Sequence, residues 1–342
     1  MVSNRLKIAL VNPPYPSPTR PNSWITVPPD GYGGVQWVLA NLIEGLLALG
    51  HAIYLLGAPD TVSHNPNFTV VQAAEPTEIR QWVGQKPLDI VHDHTNGIVG
   101  PEHVRPGTAF ISTHHMTGRP THPRNCVYLS LAQRRDSGAS DDAPIVRIPV
   151  NVSRYRTAPT KEDFLLFMGR VSPHKGALEA AALARAAGLP LLIAGPSWEP
   201  EYRARVESVG SDSVKFLGEV GGTQRLDLLA GAQAVLVLSQ PVSGPWGGVW
   251  CEPGATVVSE AAASGTQVIA TSNGCLAEIV PPVGHVVPFG PEFERAVVRE
   301  YLDNPVPSTL LRSEAESRWG HVGIAREYDL IYRALLDGAA WL

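Results

Sequence analysis

Short apolar runs alternate along the chain with longer stretches of helical period, the pattern of strands feeding crossover helices in a parallel sheet. In the first half these runs fall at residues 6–11, 52–56, 89–92, 109–112 and 126–129. The clearest helix is predicted over 35–49: Val35, Val38, Leu39, Leu42, Ile43, Leu46 and Leu47 make one apolar face, and Gly50 supplies a stop. The pattern restarts with a strand at 164–168 and continues through 191–194, 214–217, 234–238, 267–270 and 285–287, with a helix over 177–187. Two doubly wound units of similar size are therefore expected, without a visible sequence repeat.

The expected division is an N-terminal domain over 1–150 and a C-terminal domain over 151–322, with a helical segment at 323–342 packing back on the first. The join falls in the polar stretch 149–160, which has Pro149 and Pro159 at its ends. The proline-rich stretch 13–30 is too long for a simple turn between strand and helix, so it reads as an unstructured functional loop.

Composition narrows the function. The 342 residues are 44% apolar and 17% charged, which suits a globular chain with a real core. Lysine plus arginine number 27 against 32 aspartates and glutamates, a net charge of -5 that argues against nucleic acid held by bulk electrostatics. No apolar run reaches the ~18 residues of a membrane span, so no stable membrane insertion is expected. The N-terminal residues 1–5 lead straight into a strand, with no secretory signal. Cys126, Cys251 and Cys275 are odd in number and not at metal spacing, and read as free thiols of a cytoplasmic protein.

Four constellations carry candidate chemistry. Gly31, Gly33 and Gly34 precede the 35–49 helix, where glycine and free helix N–H groups suit an anion; a plain turn is the alternative. Gly169-Arg170 and Lys175-Gly176 follow the 164–168 strand, where open α/β sheets bind ligands, and two cations there suit a pyrophosphate. Glu252 and Glu260 flank Pro253-Gly254, so one continuous helix cannot hold both. A helix over 255–264, stopped by Gly265, places Glu252 in the loop at its mouth and Glu260 inside it, both able to accept sugar or ribose hydroxyls. His92 and His94, and His114 and His115, follow two strands of the first half. Zinc is disfavoured because no carboxylate or cysteine completes a ligand set; contact with a sugar hydroxyl and structural packing both stay open.

Together these residues resemble the family 4 retaining glycosyltransferases, which have the GT-B fold. The E-x7-E element at Glu252 and Glu260 is the most specific part, followed by the Gly169-Arg170 and Lys175-Gly176 pair, Gly33-Gly34 before the long helix, and Asp89-Ile90-Val91-His92-Asp93-His94. The resemblance implies two Rossmann-like domains facing across a deep cleft, the first on the acceptor side and the second on the donor side. It implies that Arg170 and Lys175 hold the donor diphosphate with help from Gly34, that Glu260 binds the ribose, and that Glu252 and His94 contact the transferred sugar. Gly33, Gly169, Leu217, Gly218, Gly254, Ala255 and Thr256 complete the implied donor site, with the base held by backbone near Leu217 and Gly218. Trp24, Tyr32, His114 and His115 fall on the implied acceptor side. The implied donor is a nucleoside-diphosphate sugar, UDP- or GDP-linked, used as substrate with no cofactor and no metal. A small-molecule or oligosaccharide acceptor is expected, and the alanine-, proline- and arginine-rich composition suits a high-GC bacterium, with secondary-metabolite or antibiotic-oligosaccharide tailoring and a cell-envelope glycan both open as the setting. A GT-B phosphorylase or epimerase, or a nucleotide-sugar-binding module without turnover, is the alternative. The departures from the family pattern are Gly254 and Ala255, where an aromatic residue and a glycine are usual, the tryptophan-bearing stretch 240–250 just before Glu252, and Pro149-Val150-Asn151-Val152, where an asparagine-glycine turn is common.

Overall fold

The computed structural model describes residues 5–18, 20–245 and 247–342; residues 1–4, Thr19 and Trp246 lie outside the described residues, and with them the expected run from the N-terminus and one tryptophan of the 240–250 stretch. The chain divides into two compact units, Met1–Pro149 with Gly320–Leu342, and Val150–Trp319.

In the first unit six parallel strands, β1 (Lys7–Val11), β2 (Ala52–Leu56), β3 (Phe68–Val70), β4 (Ile90–Asp93), β5 (Ala109–Thr113) and β6 (Cys126–Val127), stand in the order 3-2-1-4-5-6. Strands β1 and β4 are buried along nearly their whole length, because crossover helices cover both faces of a parallel sheet. Helix α1 (Gly34–Ala48) lays Leu39, Leu42, Ile43 and Leu46 on this core. Helix α2 (Pro76–Gln85) and the short α3 (Leu131–Asp136) fill further connections.

The second unit repeats that order. Strands β7 (Leu165–Met168), β8 (Leu191–Ala194), β9 (Val214–Gly218), β10 (Ala234–Val237), β11 (Gln267–Ala270) and β12 (Gly284–Val286) form the sheet β9-β8-β7-β10-β11-β12. Its helices are α4 (Ala177–Ala187), α5 (Pro200–Gly210), α6 (Gly222–Gly231), α7 (Thr256–Ala263), α8 (Leu276–Ile279), α9 (Arg295–Asp303) and α10 (Ser308–Trp319). The last helix, α11 (His321–Leu336), packs on α1 inside the first unit, where the absence of a side chain at Gly45 lets the backbone of His321 approach.

Two expectations take a different form. The stretch 13–30 has neither helix nor long strand, yet it is ordered by hydrogen bonds: Pro16 and Trp24 form an antiparallel bridge, Ile25 donates to the Tyr15 carbonyl, and Asp60 accepts from the Trp24 N–H at 2.6 Å. Prolines remove the donors a sheet needs, so the loop satisfies itself through such local bonds. The start of the expected join is not a free linker: Val150, Val152 and Tyr155 are buried in the core of the second unit, and Val150 donates to the Trp319 carbonyl at 2.7 Å.

Candidate active site

Strand order reverses between β7 and β10, so the loops leaving their carboxyl ends part and open a crevice, the usual ligand position in an open α/β sheet. The chain leaving β7 passes Gly169 and Arg170 and makes a short turn over Pro173–Lys175. It closes at Gly176 in the left-handed region, φ 75°, where a Cβ would lie 1.8 Å from the Leu238 carbonyl oxygen; only glycine lets the turn seat against the end of β10. The His174 carbonyl then accepts from the Ser239 hydroxyl and the Gln240 N–H, each at 3.0 Å, which fixes Lys175 beside the loop after β10.

Lys175 Nζ donates to both oxygens of Glu252 at 2.7 Å. The Trp250 indole N–H donates to Glu252 Oε2 at 3.0 Å, and the Lys175 ammonium sits 4.5 Å from the centre of the same ring. Glu252 is only 4% exposed. Burial pushes its carboxyl up, but the charge and hydrogen bond of Lys175, with further bonds from Trp250 and Ser239, outweigh this and hold it below the usual carboxylate range. The backbone of Glu252 is pinned as well: its carbonyl accepts from the Cys275 N–H at 2.8 Å, and Gly274 approaches so closely that a Cβ would meet the Glu252 nitrogen at 2.5 Å. His174 packs its ring 4.7 Å from Trp250, and burial, then the charges of Lys175 and Arg170, drop its pKa to about 4. It is a neutral spacer at physiological pH.

Helix α7 begins one residue past Ala255, which holds φ 49° in the left-handed region, a conformation that costs a residue with a Cβ about 1–2 kcal/mol. No side chain caps the helix start at Thr256, so its first N–H groups are open to an anion. One turn in, the buried Glu260 has partners different from those of Glu252. Its Oε1 pairs with Arg225 of α6 and accepts from the Tyr155 hydroxyl at 3.1 Å. Burial would lower the Arg225 pKa, but Glu260 and Tyr155 reverse this and raise it. Tyr155 rises through burial and the Glu260 charge.

Arg170 stacks its guanidinium 4.5 Å from the ring centre of Trp198, and its Nε is buried without a hydrogen-bond partner. Leu217 and Gly218 end β9, where the Gly218 carbonyl accepts from the Gly195 N–H at 2.7 Å. Within the stretch 240–250, Ser243 and Val249 form an antiparallel bridge, and the Trp250 backbone N–H donates to the Val242 carbonyl at 2.8 Å.

In the first unit Gly33 and Gly34 stand at the start of α1, which has no side-chain cap. His94 is 2% exposed; its Nδ1 hydrogen-bonds His115 Nε2 at 2.9 Å, and its Nε2 has no partner. Burial, then the neighbouring imidazoles, hold it well below the usual histidine range. His92 bridges the Tyr332 hydroxyl at 2.8 Å and the Thr113 hydroxyl at 2.7 Å. His114 Nε2 bonds the Gly118 carbonyl at 2.9 Å. Trp24 and Tyr32 are half-buried in the 12–33 loop. Among the described residues no group of three or more His, Cys, Asp or Glu is placed to hold a metal ion, and Cys126, Cys251 and Cys275 are free thiols.

Lys175 and Glu252 are thus brought into direct contact, while Glu260 is engaged elsewhere in the same unit. Trp250, Arg225 and Tyr155 were not singled out as site residues in the sequence. For Trp250 the signal was its place two residues before Glu252, at the end of an atypical stretch; a lone arginine in α6 and a tyrosine at the domain join carry no pattern that would mark them.

Residues 153–295 match the family Glycosyl transferases group 1. The chain is 57% identical to AviGT4, described as a glycosyltransferase involved in avilamycin A biosynthesis; the match covers 98% of this chain and 100% of that one, with a TM-score of 0.96. Sucrose-phosphate synthase from Thermosynechococcus elongatus matches at 17% identity over 98% of this chain and 100% of that one, TM-score 0.71. HepE from Anabaena, solved with UDP and glucose, matches at 13% identity over 96% and 100%, TM-score 0.68. These last two likenesses speak for the fold alone. No curated protein sequence matches the chain.

Proposed function

We propose that this chain, which belongs to the group 1 glycosyltransferases of the family 4 type and has their GT-B fold, moves a sugar with retention of anomeric configuration from a nucleoside diphosphate to an acceptor hydroxyl. UDP- and GDP-sugars are the favoured donors. A small-molecule or oligosaccharide acceptor in antibiotic biosynthesis is the favoured setting, on the strength of the identity to AviGT4.

The observation that carries this reading is the pair of Lys175 with the buried Glu252 at the carboxyl edge of the second sheet, with Arg170 nearby. Lys175 and Arg170 take the diphosphate, and the open N–H groups at the start of α7 add to them. Negative charge on the diphosphate grows as the glycosidic bond breaks, so these fixed donors stabilise the transition state more than the ground state. Two protein cations and a helix terminus fill the part a metal ion plays elsewhere, and no metal is required. Glu252 accepts from hydroxyls of the transferred sugar. Glu260 accepts from the ribose through Oε2, since Oε1 already serves Arg225 and Tyr155. Backbone atoms at Leu217 and Gly218 meet the base. The bond from the anomeric carbon to the phosphate oxygen breaks, a bond to the acceptor oxygen forms on the same face, and the acceptor proton passes to the departing phosphate oxygen. Acceptor recognition falls to Trp24, Tyr32, His114 and His115 of the first unit.

The test uses water as acceptor. Incubation with UDP- and GDP-hexoses, followed by proton NMR, is expected to yield a nucleoside diphosphate and a free sugar that first appears with the anomeric configuration of the donor. An inverted sugar contradicts retention. Sugar 1-phosphate formed in the presence of phosphate points instead to phosphorolysis, and binding without any turnover points to a non-catalytic module.

A further inference from the structure

We propose that Trp250 is a positioning residue for the transferred sugar: its indole N–H keeps the Glu252 carboxylate aimed at the sugar when Lys175 leaves that carboxylate for the diphosphate. The inference rests on the nucleotide-sugar reading above.

The reasoning starts from a conflict in the ligand-free site. Lys175 spends two hydrogen bonds on Glu252, yet the donor diphosphate needs the same ammonium. A dianionic diphosphate outcompetes a carboxylate for it, so donor binding strips Glu252 of its strongest partner. Glu252 is 4% exposed, and a carboxylate left there without donors would swing away or take up a proton. Of the partners that remain, the Ser239 hydroxyl is also directed to the His174 carbonyl at 3.0 Å, so Trp250 supplies the donor dedicated to Glu252. The indole N–H can only donate, and its partner Oε2 lies at 3.0 Å. The bond holds one oxygen of Glu252 and leaves lone pairs free for sugar hydroxyls once Lys175 has moved.

The indole is itself held from several sides. Its backbone N–H donates to the Val242 carbonyl at 2.8 Å, its carbonyl accepts from the Asn273 side chain at 3.1 Å, and the His174 ring packs against it at 4.7 Å. The Ser243–Val249 bridge fixes the residue that directly precedes it. Its face also touches Lys175, so the same ring contacts both the group that binds phosphate and the group that binds sugar. The 240–250 stretch thereby acts on sugar recognition through Glu252.

Trp250→Phe keeps an aromatic face under Lys175 and deletes the N–H. Isothermal titration compares UDP and GDP with their hexosides in the wild-type and variant chains, alongside the donor-hydrolysis rate. The expected result is nucleoside-diphosphate affinity unchanged within about twofold, loss of the part of the affinity that depends on the sugar, and a hydrolysis rate down by at least about tenfold, the worth of one hydrogen bond to a charged group. Trp250→Leu, which also removes the ring face, is expected to lose the same sugar-dependent part. The proposal is overturned if Trp250→Phe binds hexosides and turns over as the wild type does. It is equally overturned if nucleoside diphosphate and hexoside weaken by the same factor, or if the Phe variant fails to fold, for Trp250 is then a packing residue. A wild-type chain that binds no nucleoside diphosphate at all removes the functional reading itself, a result distinct from these.

Discussion

The two units share one strand order, 3-2-1-4-5-6, but they hold their buried polar groups by different means. Apart from the buried Asp93 carboxylate, which accepts from Thr95 and Gly97, the first unit uses neutral rings and hydroxyls: His92 between Tyr332 and Thr113, Thr113 against Tyr328, and His94 against His115. The second uses charge: Lys175 on Glu252, and Arg225 on Glu260. A fold therefore does not dictate how its switch point is filled. Fixed charges placed in the second unit suit a ligand whose own charge changes during reaction, whereas neutral donors and acceptors in the first suit hydroxyl-bearing groups.

The contrast breaks most sharply at the buried ion pair. Arg225→Ala strands the Glu260 charge in the core and is expected to cost the second unit about 3–5 kcal/mol in urea denaturation. Tyr332→Phe, the corresponding cut in the first unit, leaves a neutral imidazole nitrogen without a partner and is expected to cost about 1–2 kcal/mol. Equal losses would erase the distinction between the units.

Acid should separate them next. The folded pKa values of His92, His94, His114 and His115 all lie below the ordinary histidine value, with burial as the largest cause. The folded state thus binds their protons more weakly than the unfolded chain, so the stability they confer is full above about pH 6.5 and drains as pH falls below it. Asp93 opposes this, since burial raises it to about 6 and the fold gains as it protonates. The second unit has His174 responding in the same direction, and Glu252, whose lowered pKa confers stability that starts to drain only as pH falls through the ordinary glutamate value of about 4.3. Going from pH 7 to pH 5 is therefore expected to lower the urea midpoint of the first unit more than that of the second, scored by limited proteolysis with each unit's fragments identified by mass. A larger loss in the second unit would contradict this.

The smallest effect is local. Ala255→Gly relieves the left-handed φ of 49° ahead of α7 and is expected to add up to about 1 kcal/mol, readable as a small rise in Tm.

Much of this was legible in the sequence. Strands such as Ala52–Leu56, Leu191–Ala194 and Gln267–Ala270 agree with their expected runs to the residue, because strands covered on both faces read as near-continuous apolar runs. β3 went unread: three residues at a sheet edge, Phe68–Val70, carry too little pattern. Helix α2 also went unread, although Glu75, Pro76 and Glu78 spell a capping box with proline at the first turn; its thin apolar face of Ile79 and Val83 hid it. Glu252, Glu260 and Lys175 stood out by spacing. The direct bond between Lys175 and Glu252 did not, nor did Arg225 behind Glu260, since these contacts join residues 77 and 35 positions apart in sequence that only the fold brings together.

The most direct test of the central claim is isothermal titration of UDP and GDP into the wild-type chain and Lys175→Met. The account predicts that the wild type binds at least one of the two, and that Lys175→Met, still folded by circular dichroism, binds it at least about tenfold more weakly, the loss of a charge-assisted contact to phosphate. A wild-type chain that binds neither nucleotide, or a Lys175→Met chain that binds as tightly as the wild type, would contradict it.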